Sequence, residues 1–275
     1  IWRIDVLDTS GLWVAGALIG LLLTWQLVLV FRVNRAALRG DYPPADRYPL
    51  RSVTVLCVSY FCTFGSELAV VSMLPTFFAD TWGLGPAAAG IAASGFAFMN
   101  IAARPAGGLL SDLLGSRTRT LTVLMVGLTV GYLLMATLGS SWPWFLAVGI
   151  CMVCSFFVQS GEGAVYAIVP LVKKRVSGQV SGLVGAYGNI GAVCFLTVAL
   201  FVSPTVFFLV IAAAAAVGVA VSRLLAEPAD SFSDQLVGDE TPAGALVPAG
   251  APPVVAAHGG RRRLTGPVPA TVGEA

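Results

Sequence analysis

Residues 104–119 read Arg104-Pro105-Ala106-Gly107-Gly108-Leu109-Leu110-Ser111-Asp112-Leu113-Leu114-Gly115-Ser116-Arg117-Thr118-Arg119. An apolar run leads into this stretch from residue 87, and a second leads out of it to residue 139. One arginine therefore stands inside an apolar segment, while glycines, an aspartate and two arginines mark a polar turn a few residues on. A surface helix of a soluble domain alternates its apolar stripe with a charged face. The flanking runs here are apolar all round, as expected of helices that cross a bilayer and turn at its surface.

The rest of the chain follows the same pattern. Of 275 residues, 57% are hydrophobic and 11% charged, whereas an ordinary soluble domain carries about 25% charged residues. A soluble enzyme, a disordered chain and a coiled coil are excluded on that ground, and a net charge of +2 points to no nucleic-acid partner. A hydrocarbon core about 30 Å thick needs about 20 apolar helical residues. Seven stretches qualify, at about 11–31, 53–79, 87–110, 120–139, 144–170, 179–201 and 205–225. The weakest is 87–110, which Arg104-Pro105 is expected to interrupt. No period-2 alternation suggests a membrane barrel, so the fold class is an all-α membrane protein with seven transmembrane helices.

Basic residues orient the spans. With the start of the chain outside, Arg32, Arg35, Arg39, Arg47, Arg51, Arg117, Arg119, Lys173, Lys174, Arg175, Arg223 and Arg261–Arg263 all fall on the inner side, and the outer loops hold only Asp80. Arg3 falls outside and Arg104 within a span. This is the positive-inside bias; it implies a multi-pass protein of the cell membrane with a cytoplasmic C-terminus. The chain opens on Ile1 and enters an apolar span without a basic leader, so we expect the C-terminal part of a longer protein. From about residue 228 the composition turns to Pro, Gly, Ala, Asp and Glu, and a disordered cytoplasmic tail over 228–275 is expected, with His258 and the Arg261–Arg263 run inside it. Cys151 and Cys154 form a Cys-x-x-Cys pair, but within a greasy helix they read as small hydrophobes.

Three ionisable residues lie within spans: Glu67, Arg104 and Glu162. A charge at the bilayer centre costs roughly 2.5–3.5 kcal/mol on insertion scales, so each needs a partner or a water-filled cavity. Arg104 stands eight residues before Asp112, about 12 Å at the helical rise, too deep for easy snorkelling. Its guanidinium offers a planar fork of donors that suits a planar oxyanion; a structural ion pair with Glu67 or Glu162 is the alternative. Tyr60, Phe64 and Glu67 share one helical face, where a flat anion would stack on a ring, although packing between helices explains the rings equally. A carboxylate on that face is a proton-coupling candidate, as is Glu162. Gly182, Gly185, Gly188 and Gly191 recur every three residues and let a helix or a ligand approach the backbone. Asn189 adds a neutral donor and acceptor.

Gly108, Asp112, Gly115 and Arg117, in that spacing, resemble the cytoplasmic loop signature of the major facilitator superfamily, in which the aspartate, a helix N-terminus and basic residues form a conformational latch. The run Gly185-Ala186-Tyr187-Gly188-Asn189-Ile190-Gly191 is similar to the second nitrate signature of the nitrate/nitrite porter family. With it go Gly161–Pro170, Lys173–Arg175 and Phe64–Glu67, and the resemblance spans about 54–195. It is to the branch of cyanobacterial and plant high-affinity nitrate transporters.

That resemblance implies a major-facilitator-type bundle of twelve helices, of which this chain supplies helices six to twelve. Residues 1–52 then hold helix six and the central cytoplasmic loop, and 53–227 the C-terminal six-helix bundle. It implies that Arg104, Tyr60, Phe64, Asn189, Gly185 and Gly188 line the substrate site for nitrate or nitrite, with protons as co-substrate, no cofactor, and the N-terminal helices as partner. Exchanger-type members lack carboxylates at the positions of Glu67 and Glu162, which favours proton symport, although either glutamate would also serve to neutralise Arg104. A nitrate/nitrite antiporter, a transporter of another small anion and a non-transporting anion sensor remain open. A membrane enzyme is disfavoured, as no span holds a histidine, a metal cluster or a Ser/His pair.

Overall fold

A computed structural model describes residues 9–35, 39 and 46–227. The tail from residue 228, with His258 and the Arg261–Arg263 run, lies outside the described residues, as do Arg3 and the first eight positions. The helices are α1 (Thr9–Val33), α2 (Leu50–Trp82), α3 (Pro86–Phe98), α4 (Asn100–Leu113), α5 (Arg117–Met135), α6 (Trp144–Val172), α7 (Ser177–Ala199) and α8 (Pro204–Ser222), with a short 3₁₀ turn at Lys174–Val176. Taking α3 and α4 together, seven segments among the described residues are long and apolar enough to cross a membrane. They coincide with the seven stretches read from the sequence to within a few residues.

Local chemistry sets the ends. Pro86 and Pro204 occupy the first turns of α3 and α8, where a missing N–H is harmless. Gly83 closes α2 with φ 65°, and Gly115 turns the chain between α4 and α5 with φ 59°, a region open to glycine at little cost. Ser116 caps α5 by accepting from the Arg119 amide.

The interruption of the third span falls earlier than the sequence suggests. Arg104 and Pro105 both lie inside α4, and the break stands at Met99, between α3 and α4. Proline cannot donate to the carbonyl four residues back, and its ring crowds that turn, so its effect is felt upstream, at the Ile101 turn and before. Side chains of α6 secure the broken region. Ser155 Oγ and Gln159 Nε2 donate to the Phe96 carbonyl at 2.6 and 3.0 Å, and Ser160 Oγ donates to the Ala103 carbonyl at 2.9 Å.

Two apolar clusters make the core of α2–α8. One, built on Val70, Phe78, Phe96, Tyr132, Cys151 and Phe208, fills the end carrying Trp82 and Trp142. The other, built on Leu56, Met125, Ile168 and Val184, fills the end carrying Leu50 and Val172. Between them runs a buried polar belt of Thr63, Ser66, Glu67, Ser155, Gln159, Ser160 and Glu162. The helix pairs close most tightly where glycines meet. A methyl group on Gly65 would lie 2.8 Å from the Gly191 Cα, and one on Gly163 3.3 Å from the Arg104 Cα, so α2 abuts α7 and α4 abuts α6 backbone to backbone. By contrast α1 is exposed along its length and adds nothing to this core.

Candidate functional site

The polar belt gathers the three ionisable residues of the spans into one cluster. Glu67 stands midway along α2 and Glu162 beyond the middle of α6, and Arg104 reaches both from α4. Arg104 Nη2 donates to Glu67 Oε2 at 3.0 Å and pairs with Glu162 Oε2. The sequence left open a pairing with one glutamate or the other; the structure shows both. Glu162 is enclosed, whereas the Arg104 side chain is 37% exposed, which makes it the most exposed of the three. Both carboxylates converge on a single nitrogen. The Arg104 Nε–H is buried and has no hydrogen-bond partner among the described residues.

An aromatic wall adjoins the guanidinium. Tyr60 and Phe64 stack at 5.1 Å between centroids and 5° between planes, and Tyr166 meets Tyr60 edge-on at 5.0 Å. The Arg104 Cζ lies 5.8 Å from the Phe64 centroid, within range of a cation–π contact. A methyl on Gly188 would come within 2.9 Å of Phe64 Cδ1, and one on Gly185 within 3.2 Å of the Tyr166 hydroxyl. These glycines admit the rings against α7. A flat anion beside Arg104 would have coplanar donors at its edge and rings along its face.

Not every candidate gathers there. Asn189 is exposed and donates to the Gly185 carbonyl of its own helix at 2.9 Å, so its amide meets no member of the cluster. Of the glycine run, Gly182 faces open space, whereas Gly188 and Gly191 are packed. The residues of the loop signature, Gly108, Asp112, Gly115 and Arg117, lie at the polar turn and not in this cluster. Arg117 pairs with Asp112 at 3.1 Å across Gly115. Open space surrounds Gly108, while its neighbour Gly107 packs against Ser160.

Three contributors escaped the sequence reading. Asn100, at the start of α4, donates to Glu67 Oε1 at 2.8 Å; its position one turn before Arg104 was the available signal. Tyr166 stands one turn after Glu162. Glu227, five residues past α8, accepts from the Arg117 and Thr118 amides at 2.8 and 3.0 Å and from the Ser116 hydroxyl at 2.9 Å. Burial works against its charge, but these donors outweigh that and hold its carboxyl below the ordinary value. No sequence signal joins residues so far apart.

No group of three or more His, Cys, Asp or Glu side chains placed to hold a metal ion occurs among the described residues. Cys57, Cys62, Cys151 and Cys154 are buried free thiols and Cys194 is an exposed one.

The sequence is similar to those of proteins named as transporters. The profile of the Major Facilitator Superfamily matches residues 56–263. The nitrate/nitrite transporter NrtP of Picosynechococcus sp. is 50% identical over 208 residues, which cover 74% of this chain and 39% of that protein. The namesake from Nostoc punctiforme is 40% identical over 240 residues, covering 86% and 48%. The high-affinity nitrate transporter 2.3 of Oryza sativa subsp. japonica is 37% identical over 143 residues, covering 50% and 28%. The chain thus spans less than half the length of each of these relatives. With its seven apolar helices and its charged cluster at mid-depth, the chain belongs to the major facilitator superfamily, and within it to the nitrate/nitrite porter family.

Proposed function

We propose that this chain is the C-terminal bundle, with one preceding helix, of a twelve-helix transporter that imports nitrate, and nitrite with it, in symport with protons across the cell membrane. One observation carries the reading: a guanidinium held between two apolar clusters, with both carboxylates on one nitrogen and its Nε–H unpaired. The names of the relatives supply the anion, and a planar, monovalent, weakly hydrated oxyanion matches the fork and the rings. Arg104, Tyr60, Phe64, Gly185 and Gly188 then form one wall of the site, with Asn189 along it facing the other half of the transporter.

The charge count gives a reason for coupling. Two carboxylates and one guanidinium sum to −1, which repels an anion. A proton taken up by the glutamate pair brings the sum to zero and frees donors of Arg104 for nitrate, so proton and anion bind together. Interactions that differ between the two faces of the carrier drive the change of access, and the Asp112–Arg117 pair beside Gly115 serves as the latch that opens and closes with it. The basic residues of the inner loops support a cytoplasmic C-terminus.

The test is uptake of labelled nitrate by the full-length transporter in proteoliposomes, against an excess of nitrite, chlorate or small carboxylates. Competition by nitrite and chlorate alone supports the assignment. Competition by carboxylates points to a transporter of organic anions, and binding of nitrate without flux points to a sensor.

A further inference from the structure

The two glutamates are treated differently by α4. Asn100 and Arg104 are one turn apart on one face, and both reach Glu67: the Asn100 amide takes Oε1 and the guanidinium takes Oε2. Facing a carboxylate, the asparagine presents its NH₂ and not its oxygen. Each Glu67 oxygen therefore already accepts from a donor, and donors on both oxygens suit an ionised carboxylate. Glu162 differs. Apart from its ion pair with Arg104, neither of its oxygens has a hydrogen-bond donor among the described residues. Both carboxyls meet the same Arg104 nitrogen, and a single proton shared by two carboxyls so placed relieves their repulsion.

We propose that Asn100 is a positioning residue that sorts the two glutamates, fixing Glu67 as the standing counter-ion of Arg104 and leaving the exchangeable proton on Glu162. This deepens the symport reading and rests on it. The proton comes from water on one side, bonds to a Glu162 carboxyl oxygen and leaves to water on the other side, with no change of oxidation state. Titratable and charged groups around the pair are Arg104 of α4, Tyr60 of α2 and Tyr132 of α5, with Tyr166 of α6 behind Tyr60; α7 brings Gly185 and Gly188 against the aromatic rings. The break at Met99 makes the arrangement reachable, because it starts α4 with Asn100 already beside Glu67, and the Gln159 and Ser155 clasp on Phe96 holds the start in place.

Infrared spectroscopy of the detergent-solubilised chain at neutral pH reads this directly, at the carbonyl stretch of protonated carboxyl groups. One band is expected from the wild type, and none from Glu162→Gln. Asn100→Ala should add a second band, as the proton spreads over both carboxyls, and Asn100→Gln, which keeps an amide donor, should return the spectrum to one. Should Asn100→Ala lose its helical circular dichroism, Asn100→Leu removes the amide at nearly constant volume. A single band unchanged by loss of the amide, a band that survives Glu162→Gln, or no band in the wild type would each overturn the proposal. The spectrum needs no transport, so absent nitrate uptake would strike the symport reading alone.

Discussion

Arg104 carries the largest consequences at the scale of single residues. An ammonium in its place still offers charge but not a planar fork. Charge-assisted hydrogen bonds contribute roughly 1.5–3 kcal/mol each, and about 1.4 kcal/mol is tenfold in affinity. Arg104→Lys is therefore expected to weaken nitrate binding about ten- to a hundredfold, measured as the concentration for half-maximal uptake; wild-type affinity would remove Arg104 from the site. Glu162→Gln keeps the shape but cannot take up a proton. Uptake by that variant should ignore an imposed proton gradient, and a preserved response would move the coupling to Glu67 or elsewhere. The three charges were legible in the sequence because a bilayer penalises each one. Their mutual arrangement was not. The spacing of Tyr60, Phe64 and Glu67 shows that they share a face, but nothing in one sequence says that Arg104 meets both glutamates through one nitrogen.

Among the elements, glycine contacts and helix ends decide stability. A methyl group on Gly191 would sit 3.1 Å from the Phe61 Cα, and backbone cannot yield as a side chain does. Overpacking costs about 1–3 kcal/mol, so Gly191→Ala should lower the unfolding midpoint in detergent. Gly182→Ala, in open space, should leave that midpoint unchanged or raise it, since alanine is the better helix former by about 1 kcal/mol. Equal effects at the two sites would contradict the packing described. The start of α5 is sensitive to acid. Glu227 is held below the ordinary carboxylate value by the amides it accepts from, so its contribution is complete above about pH 4.5 and is lost as pH falls through the lowered value. Amide hydrogen exchange at Arg117 and Thr118 should accelerate in that acid range and should be fast at neutral pH in Glu227→Gln; protection that persists in the variant would refute the clamp. The glycine period was visible in sequence, yet it did not say which glycines are packed, since that depends on the angle at which α2 crosses α7. Pro105 was visible too, but the break it promotes lies at Met99, because a proline disturbs the turn before it.

Across the whole molecule, two apolar clusters enclose a charged layer, and a further helix, α1, stands exposed along its length. Composition made the membrane class plain, and length per span gave the crossings to within a few residues, because a bilayer imposes one thickness on every crossing. The route from there to a substrate ran through resemblance: a guanidinium beside aromatic rings suits several small anions, and the glycine signature is what singles out nitrate. The chain covers less than half of its relatives, and on the proposed reading an N-terminal bundle supplies the opposite wall of the site. Expressed without that bundle, the chain should insert but move no nitrate, and supplying the N-terminal helices should restore flux. The most direct test is labelled nitrate uptake by the assembled transporter in proteoliposomes, with and without an inward proton gradient. Uptake that rises with the gradient and needs no internal nitrite is the expected result; uptake that ignores the gradient and depends on internal nitrite would contradict proton symport.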